Sequence, residues 1–414
     1  MLKNYIAIAI RSISRHKSFS ILNVLGLSIG MISFLIILLY IQYELSFDKH
    51  ISNIENKYRV VEIQTEPGVG EQHVAVTMGP LAEALHKDYP EVKNFVRLFR
   101  GYGLTVQYKD KSFNENWFAF ADSTIFDMFN VNLILGDEKT ALQEMNSIVL
   151  SEKVARKYFG ETEKAMDKMM DIYGESFIVK GIMKDYPEKS SVYFNALMPF
   201  KLLQNYTSSY DSWASNSFDT YVELEDGVDR EALEAKFPQF TEKYMADHWR
   251  NIPGLYLQPV KEMHLKSKHI KFQVYRHKQS DINQVYMFSV IALLILIVAC
   301  INYINLATSL ALRRYKEVGI RKVAGANRPK LILQFLGESM VITIIAAILA
   351  LGGISLFLPV VNQILGIDLA MDFGNIVFLL GLLGTILIAG FLSGIYPALY
   401  MSGFKPAAIF SGFR

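Results

Sequence analysis

Four stretches of the chain are long and apolar enough to cross a lipid bilayer: Ile21 to Tyr43, Val285 to Leu306, Leu331 to Val360 and Ile376 to Tyr396. A helix needs about 20 mostly apolar residues, at a rise of 1.5 Å each, to span the hydrocarbon. Nothing else in the sequence restricts the fold so strongly, because inside a bilayer every backbone N–H and C=O must be satisfied within the protein. The composition agrees: 51% of the 414 residues are hydrophobic, more than soluble domains carry. Basic residues precede the first stretch, as in a signal peptide, but its apolar run is too long and YELSFDKH after it offers no small-x-small cleavage site, so it reads as a retained helix.

Charge orients the helices. Lys3, Arg11, Arg15 and Lys17 precede the first, Lys405 and Arg414 follow the last, and the densest cluster, RRYKEVGIRKVAGANRPK (Arg313 to Lys330), lies between the second and third. One Lys or Arg at mid-membrane costs roughly 2.5 to 3.5 kcal/mol, so this cluster belongs in water. With four alternating helices all three basic segments fall on one side, which the positive-inside rule assigns to the cytoplasm. The expected layout is a cytoplasmic amphipathic segment at 1–20, helices at 21–43, 285–307, 331–358 and 376–397, a coupling loop at 308–330, a short outside loop at 359–375 and a cytoplasmic tail at 398–414. Residues 44–284 then form a large extracytoplasmic α+β domain between the first and second helices.

In that domain Tyr58 to Gln64, Asn94 to Arg100, Ser147 to Ser151 and Ser176 to Met183 are short β-branched and aromatic runs that suit strands. Gly79 to Pro90 and Ser151 to Gly160 suit helices, the second with a serine cap and a terminal glycine, and two lobes are expected. Signs of chemistry are few. The histidines never fall in H-E-x-x-H or a similar ligand spacing, no G-x-S-x-G elbow occurs, and Gly68 and Gly70 suit a turn rather than a dinucleotide fingerprint. The single cysteine, Cys300, allows no intrachain disulfide. No metal, cofactor or catalytic set is expected, and a net charge of +2 argues against nucleic acid as a partner.

The basic loop carries more than a topology signal. Glu317 and Arg321 stand four apart in the favourable order for a helical ion pair, Gly325 suits a helix stop, and Asn327 followed by Pro329 suits the start of the next helix. Val318, Gly319, Ile320, Val323, Gly325 and Ala326 interleave small and apolar residues with the charge of Arg321 and Lys322, a surface suited to docking.

RRYKEVGIRKVAGANRPKLILQFLGES resembles the cytoplasmic loop and following helix of the FtsX-like/MacB-like permeases of ABC transporters. Ala121 to Asp137, Ser147 to Glu161 and Val179 to Phe200 resemble the MacB-like periplasmic core domain, and Ser393 to Gly412 the family's last helix and exit. The resemblance implies an inner-membrane permease with both termini in the cytoplasm and its large domain in the periplasm. Glu317 to Ala326 would be a coupling helix on a cytoplasmic ABC ATPase subunit, whose motion is relayed to the periplasmic domain, a mode called mechanotransmission. No G-x-x-x-x-G-K-[ST] occurs, so ATP would be bound by a separate chain and this one would not be an enzyme. Further implied partners are a second permease copy or half, membrane lipids and a periplasmic adaptor for export or efflux. A mechanical transmitter controlling a cell-wall hydrolase and a ligand-binding membrane receptor are the alternatives.

Within the helices, Glu338 is an intramembrane carboxylate placed to reach a loop base such as Arg313 or Arg314. Asn302, Asn305 and Gln334 are candidates for bonds between helices, and Gly26 and Gly30 form a GxxxG that permits close packing, within the chain or with a second copy. Pro397 is expected to end or kink the last helix.

Overall fold

A computed structural model describes residues 17–274, 278–313 and 315–403, without the side chains of 66, 311–313 and 315–317. It forms two compact units, one of the first helix with the C-terminal helices and one of the inserted domain, Ser46–Ile282. The helices longer than one or two turns are α1 (Lys17–Glu44), α2 (Leu81–Asp88), α3 (Glu152–Phe159), α4 (Phe237–Met245), α5 (Ile282–Arg313), α6 (Tyr315–Val323), α7 (Arg328–Leu365) and α8 (Ile376–Ser402). Among the described residues, α1, α5, α7 and α8 are long and apolar enough to cross a membrane.

These four helices meet along a seam of small residues. Leu27 and Met31 of α1, Ala299 and Cys300 of α5, Ala346, Ala347 and Ala350 of α7 and Ala389 of α8 are buried together. Lipid tails are as apolar as leucine, so helices associate in a bilayer through close packing and interhelical hydrogen bonds, and alanine at the contact lets the backbones approach. A Cβ on Gly30 would lie 2.5 Å from Cβ of Ala299, and one on Gly26 would lie 3.1 Å from Nδ2 of Asn302. The GxxxG face of α1 is therefore occupied by α5 of the same chain. Two hydrogen bonds tie the helices further: Ser28 Oγ donates to Ala346 O at 3.1 Å, and Tyr303 OH to Ser339 Oγ at 2.9 Å.

The helices run further than hydropathy alone implies. α7 continues through Pro359 to Leu365, so the loop expected at 359–375 begins only at Gly366. The physical reason is that a proline costs a membrane helix one hydrogen bond, which neighbouring groups can replace, whereas a left-handed residue stops it. Gly366 has φ +65° and caps α7. α8 likewise passes through Pro397 to Ser402.

The inserted domain is built on one mixed sheet. Its strands are β1 (Lys57–Glu66), β2 (Gly70–Val74), β3 (Val92–Gly101), β4 (Leu104–Tyr108), β5 (Lys111–Glu115), β6 (Phe118–Ala121), β7 (Leu133–Gly136), β8 (Ser147–Ser151), β9 (Met169–Ile172), β10 (Glu175–Met183), β11 (Ala196–Pro199), β12 (Asp219–Leu224), β13 (Gly254–Pro259) and β14 (Ile270–Phe272). The hydrogen-bonded order is β14-β2-β1-β12-β3-β6-β11-β8-β10-β9-β4-β5, with β13 on β1 and β7 on β10. The pairs β8–β10, β6–β11 and β2–β14 are parallel. Instead of the expected two lobes there is continuous pairing, and the three largest hydrophobic clusters among the described residues of this domain lie along it. Val96, Leu98, Phe129 and Phe194 belong to one, Ile148, Tyr158, Phe177 and Ile182 to another, and Leu81, Leu85, Phe237 and Phe240 to the third.

Local signals act as the residues predict. Ser151 Oγ accepts from Val154 N at the start of α3, and Gly160 ends that helix at φ +87°. Arg97 on β3 is buried, grips both oxygens of Asp122 at 2.9 Å, meets Glu83 of α2 at 2.9 Å and lies 4.3 Å over the Phe200 ring. It binds a helix, the middle of β3, the end of β6 and the segment after β11 into one body, and a buried charge persists only when paired this completely.

Glu62 on β1 is the opposite case. It is fully buried, accepts from Asn216 Nδ2 at 2.7 Å and Gln64 Nε2 at 3.1 Å through one oxygen, and its other oxygen has no partner among the described residues. Burial lifts its carboxyl from the ordinary 4.5 to about 7, against the two hydrogen bonds.

Two predictions follow from this packing. Gly30→Ala should destabilise the helical unit by about 1 to 3 kcal/mol, read as the unfolding midpoint in detergent, and Ala299→Gly in the same chain should recover most of it. Between the ordinary pKa of 4.5 and about 7 the folded state keeps a proton on Glu62 that the unfolded state releases, so stability falls as pH rises through that window. Glu62→Gln should flatten that slope, worth on the order of 3 kcal/mol at most, in melting curves of the inserted domain against pH.

Candidate functional site

The basic cluster folds into α6 and the elbow that follows it. Gly325 takes φ +89°, its N–H donates to Lys322 O at 3.1 Å, and Ala326 N–H donates to Arg321 O at 2.9 Å. This pair of bonds is the Schellman arrangement, which needs a left-handed residue and hence favours glycine. Asn327 then caps α7, its Oδ1 accepting from Lys330 N at 3.2 Å, with Pro329 in the first turn.

One face of α6 is anchored. Val318 is buried with Leu331 and Phe335 from the first turns of α7 and with Ala398 and Met401 from the last turns of α8, and Gly319 is buried beside it. Polar contacts flank that cluster. Arg321 Nη1 donates to Gln334 Oε1 at 2.7 Å, and Gln334 Nε2 donates to Glu338 Oε1 at 3.0 Å. Gln334 and Glu338 are buried, one helical turn apart on α7. A guanidinium at the foot of the helix is thereby connected to an intramembrane carboxylate through one amide. Lys322 Nζ donates to Ser402 O at 2.6 Å, occupying a carbonyl at the end of α8 that has no partner within its own helix.

The other face is open. Ile320 and Val323 are 65% and 66% exposed, and Ala324 and Gly325 are exposed beside them. Two apolar side chains thus face outward from a short helix whose other face is anchored.

The structure thus gathers Val318, Gly319, Arg321, Lys322 and Glu338 in one assembly and turns Ile320, Val323 and Gly325 outward. Glu317 lies within α6 by its backbone, but its side chain, like those of Arg313 and Arg314, is outside the described residues, so the expected pairing of Glu338 with those arginines is too. Asn302 and Asn305 stand elsewhere on α5: the Asn302 amide lies beside Gly26 of α1, Asn305 is exposed, and no described residue bonds to either amide. Sequence reasoning placed Gln334 among residues bonding between helices without its partner, and it missed the role of Ser402. The i,i+4 spacing of Gln334 and Glu338 is legible, but the reach of Arg321 depends on the elbow at Gly325. Among the described residues no group of three His, Cys, Asp or Glu side chains is placed to hold a metal.

Two family matches cover most of the chain. Residues 20–240 match the family described as MacB-like periplasmic core domain, and residues 289–406 the one described as FtsX-like permease C-terminal. The chain is 26% identical over 246 residues to "Macrolide export ATP-binding/permease protein MacB" of Bdellovibrio bacteriovorus, an alignment that covers 56% of this chain and 34% of that protein. It is 24% identical over 370 residues to "Uncharacterized ABC transporter permease YvrN" of Bacillus subtilis, covering 83% of this chain and 84% of the other. Among solved structures, a domain of a putative permease from Porphyromonas gingivalis matches with a TM-score of 0.44 at 21% identity, covering 50% of this chain and 92% of that one. With four apolar helices, a large α+β domain between the first and second, and matches to both family domains in order, the chain belongs to the MacB/FtsX-like permeases of ABC transporters.

Proposed function

We propose that this permease is driven by a separate ATPase that docks on the open face of α6. The observation that carries the reading is the two-sidedness of that helix, whose buried face is fixed to α7 and α8 while Ile320 and Val323 face out. A partner that moves α6 moves both helices with it. The basic cluster Arg313 to Lys330 supports placing this face, and with it both termini, in the cytoplasm. The inserted domain would then lie in the periplasm, and the cycle would act there, on a periplasmic or outer-membrane-directed substrate handed to an adaptor. Seven Lys or Arg near the bilayer surface also favour anionic lipid headgroups around the loop.

A second permease copy is part of this reading. Asn305 presents its amide on the exposed side of a membrane helix, where lipid offers no hydrogen bond, and a matching helix from another copy would satisfy it.

Two measurements test the proposal. Ile320→Asp with Val323→Asp should leave the melting of the detergent-solubilised permease unchanged and weaken its capture of a nucleotide-binding subunit at least tenfold, with loss of co-purifying ATPase activity. Capture that is equal in wild type and variant, or absent from both under mild extraction, removes the coupling role from α6. Asn305→Leu should shift the permease towards single copies in nanodiscs, read by mass photometry, and an unchanged distribution places the second copy on another face.

A further inference from the structure

The inserted domain contains a second feature, unconnected to α6: a cleft of about 450 Å³ between the sheet and the segment that follows β11. Its floor is apolar, formed by Phe99, Phe120, Ile172, Phe177, Met198 and Leu202. Three tyrosines rim it, Tyr102, Tyr173 and Tyr206, each more than half exposed. Tyrosines so exposed are usually free to move, but these are tethered by their hydroxyls. Tyr102 OH donates to Val274 O at 2.8 Å, Tyr173 OH to Gly103 O at 3.2 Å, and Tyr206 OH to the carboxylate of Glu175. With their polar ends engaged, the rings offer their apolar bodies to the cleft at little further entropic cost.

The charges at the mouth are unequal in what they can still do. Arg100 lies 4.1 Å over the Tyr102 ring and 3.7 Å over the Trp117 ring, and its Nε donates to Asn116 O at 2.8 Å. Its guanidinium keeps its charge but is held against two ring faces and a carbonyl, on the Tyr102 side of the mouth. Glu175 is exposed, accepts from the Tyr206 hydroxyl, and has no ion pair among the described residues. A cation placed beside Glu175 gains from the carboxylate, whereas an anion there would be repelled by it.

We propose that this cleft is a binding site for a small, mostly apolar molecule that carries one basic amine, the body on the aromatic floor and the amine against Glu175. A volume of about 450 Å³ is within the range of small-molecule sites and would accept on the order of 20 non-hydrogen atoms. The proposal does not rest on the coupling reading, because binding is measured without any ATPase.

The test uses the full chain in lipid nanodiscs and the fluorescent amine dansylcadaverine, with empty nanodiscs as the reference for membrane partitioning. The dansyl amide of aminocaproic acid, which ends in a carboxylate, serves as the charge-reversed probe. Saturable binding of the amine probe to the protein is expected, at least tenfold tighter than the carboxylate probe. Glu175→Gln should weaken the amine probe about tenfold and abolish the preference, and Leu203→Trp, which fills the cleft, should abolish binding of both. No saturable signal above empty nanodiscs, equal affinity for the two probes, or an unaltered preference in Glu175→Gln would overturn the proposal. The Gln variant changes an exposed side chain, so it decides the matter even if Leu203→Trp does not fold.

Discussion

The close approach of α1 and α5 is the constraint on which the remaining architecture depends. The inserted domain is tethered at one end by α1 and at the other by α5, so the packing of these helices closes the chain loop that contains it. Closing a loop costs conformational entropy that rises only slowly with loop length, and a contact that holds the ends together removes much of it. In a bilayer that contact cannot come from the hydrophobic effect, and here it comes from a missing side chain. Gly30 leaves room for Ala299, and the alanines of α7 continue the same shallow surface. Ser28, Tyr303 and Ser339 lie along this seam and Arg321, Gln334 and Glu338 at the foot of α7, and each finds a hydrogen-bond partner there.

Much of the fold was legible because its signals are local. SIVLS matches β8 to the residue, and the serine and glycine around α3 cap it as their chemistry requires. The four membrane helices follow from hydropathy, since no other structure satisfies a lone apolar segment in lipid. The errors have physical causes too. Hydropathy stops at Pro359 because proline reads as a breaker in water, yet α7 continues to a left-handed glycine. Two lobes were expected because strand and helix patterns alternate along the domain, but strand pairing between distant segments, such as β3 with β12, joins them into one sheet.

The candidate site was legible in outline and not in detail. The elbow at Gly325 and the cap at Asn327 can be read from residue types, and so can the interleaving of apolar and basic residues in α6. Which of those residues turn inward cannot, because that depends on where α7 and α8 place Phe335 and Met401. The cleft beside Glu175 was invisible for the same reason: its floor draws on five strands, and no short window of sequence contains it. His73 and His269 give a parallel case, far apart in the chain yet with rings 5.0 Å apart and hydrogen-bonded to one tyrosine, Tyr256.

The bond from Lys322 to the carbonyl of Ser402 gives α6 a property that a helix joined only through its own elbow would lack. Through Arg321 it is hydrogen-bonded to α7, and through Lys322 to α8, so its position is fixed against both long helices. A part held at two points cannot swivel about either one. It can only translate or tilt together with the two helices, so what would otherwise be a flexible tether has a fixed orientation.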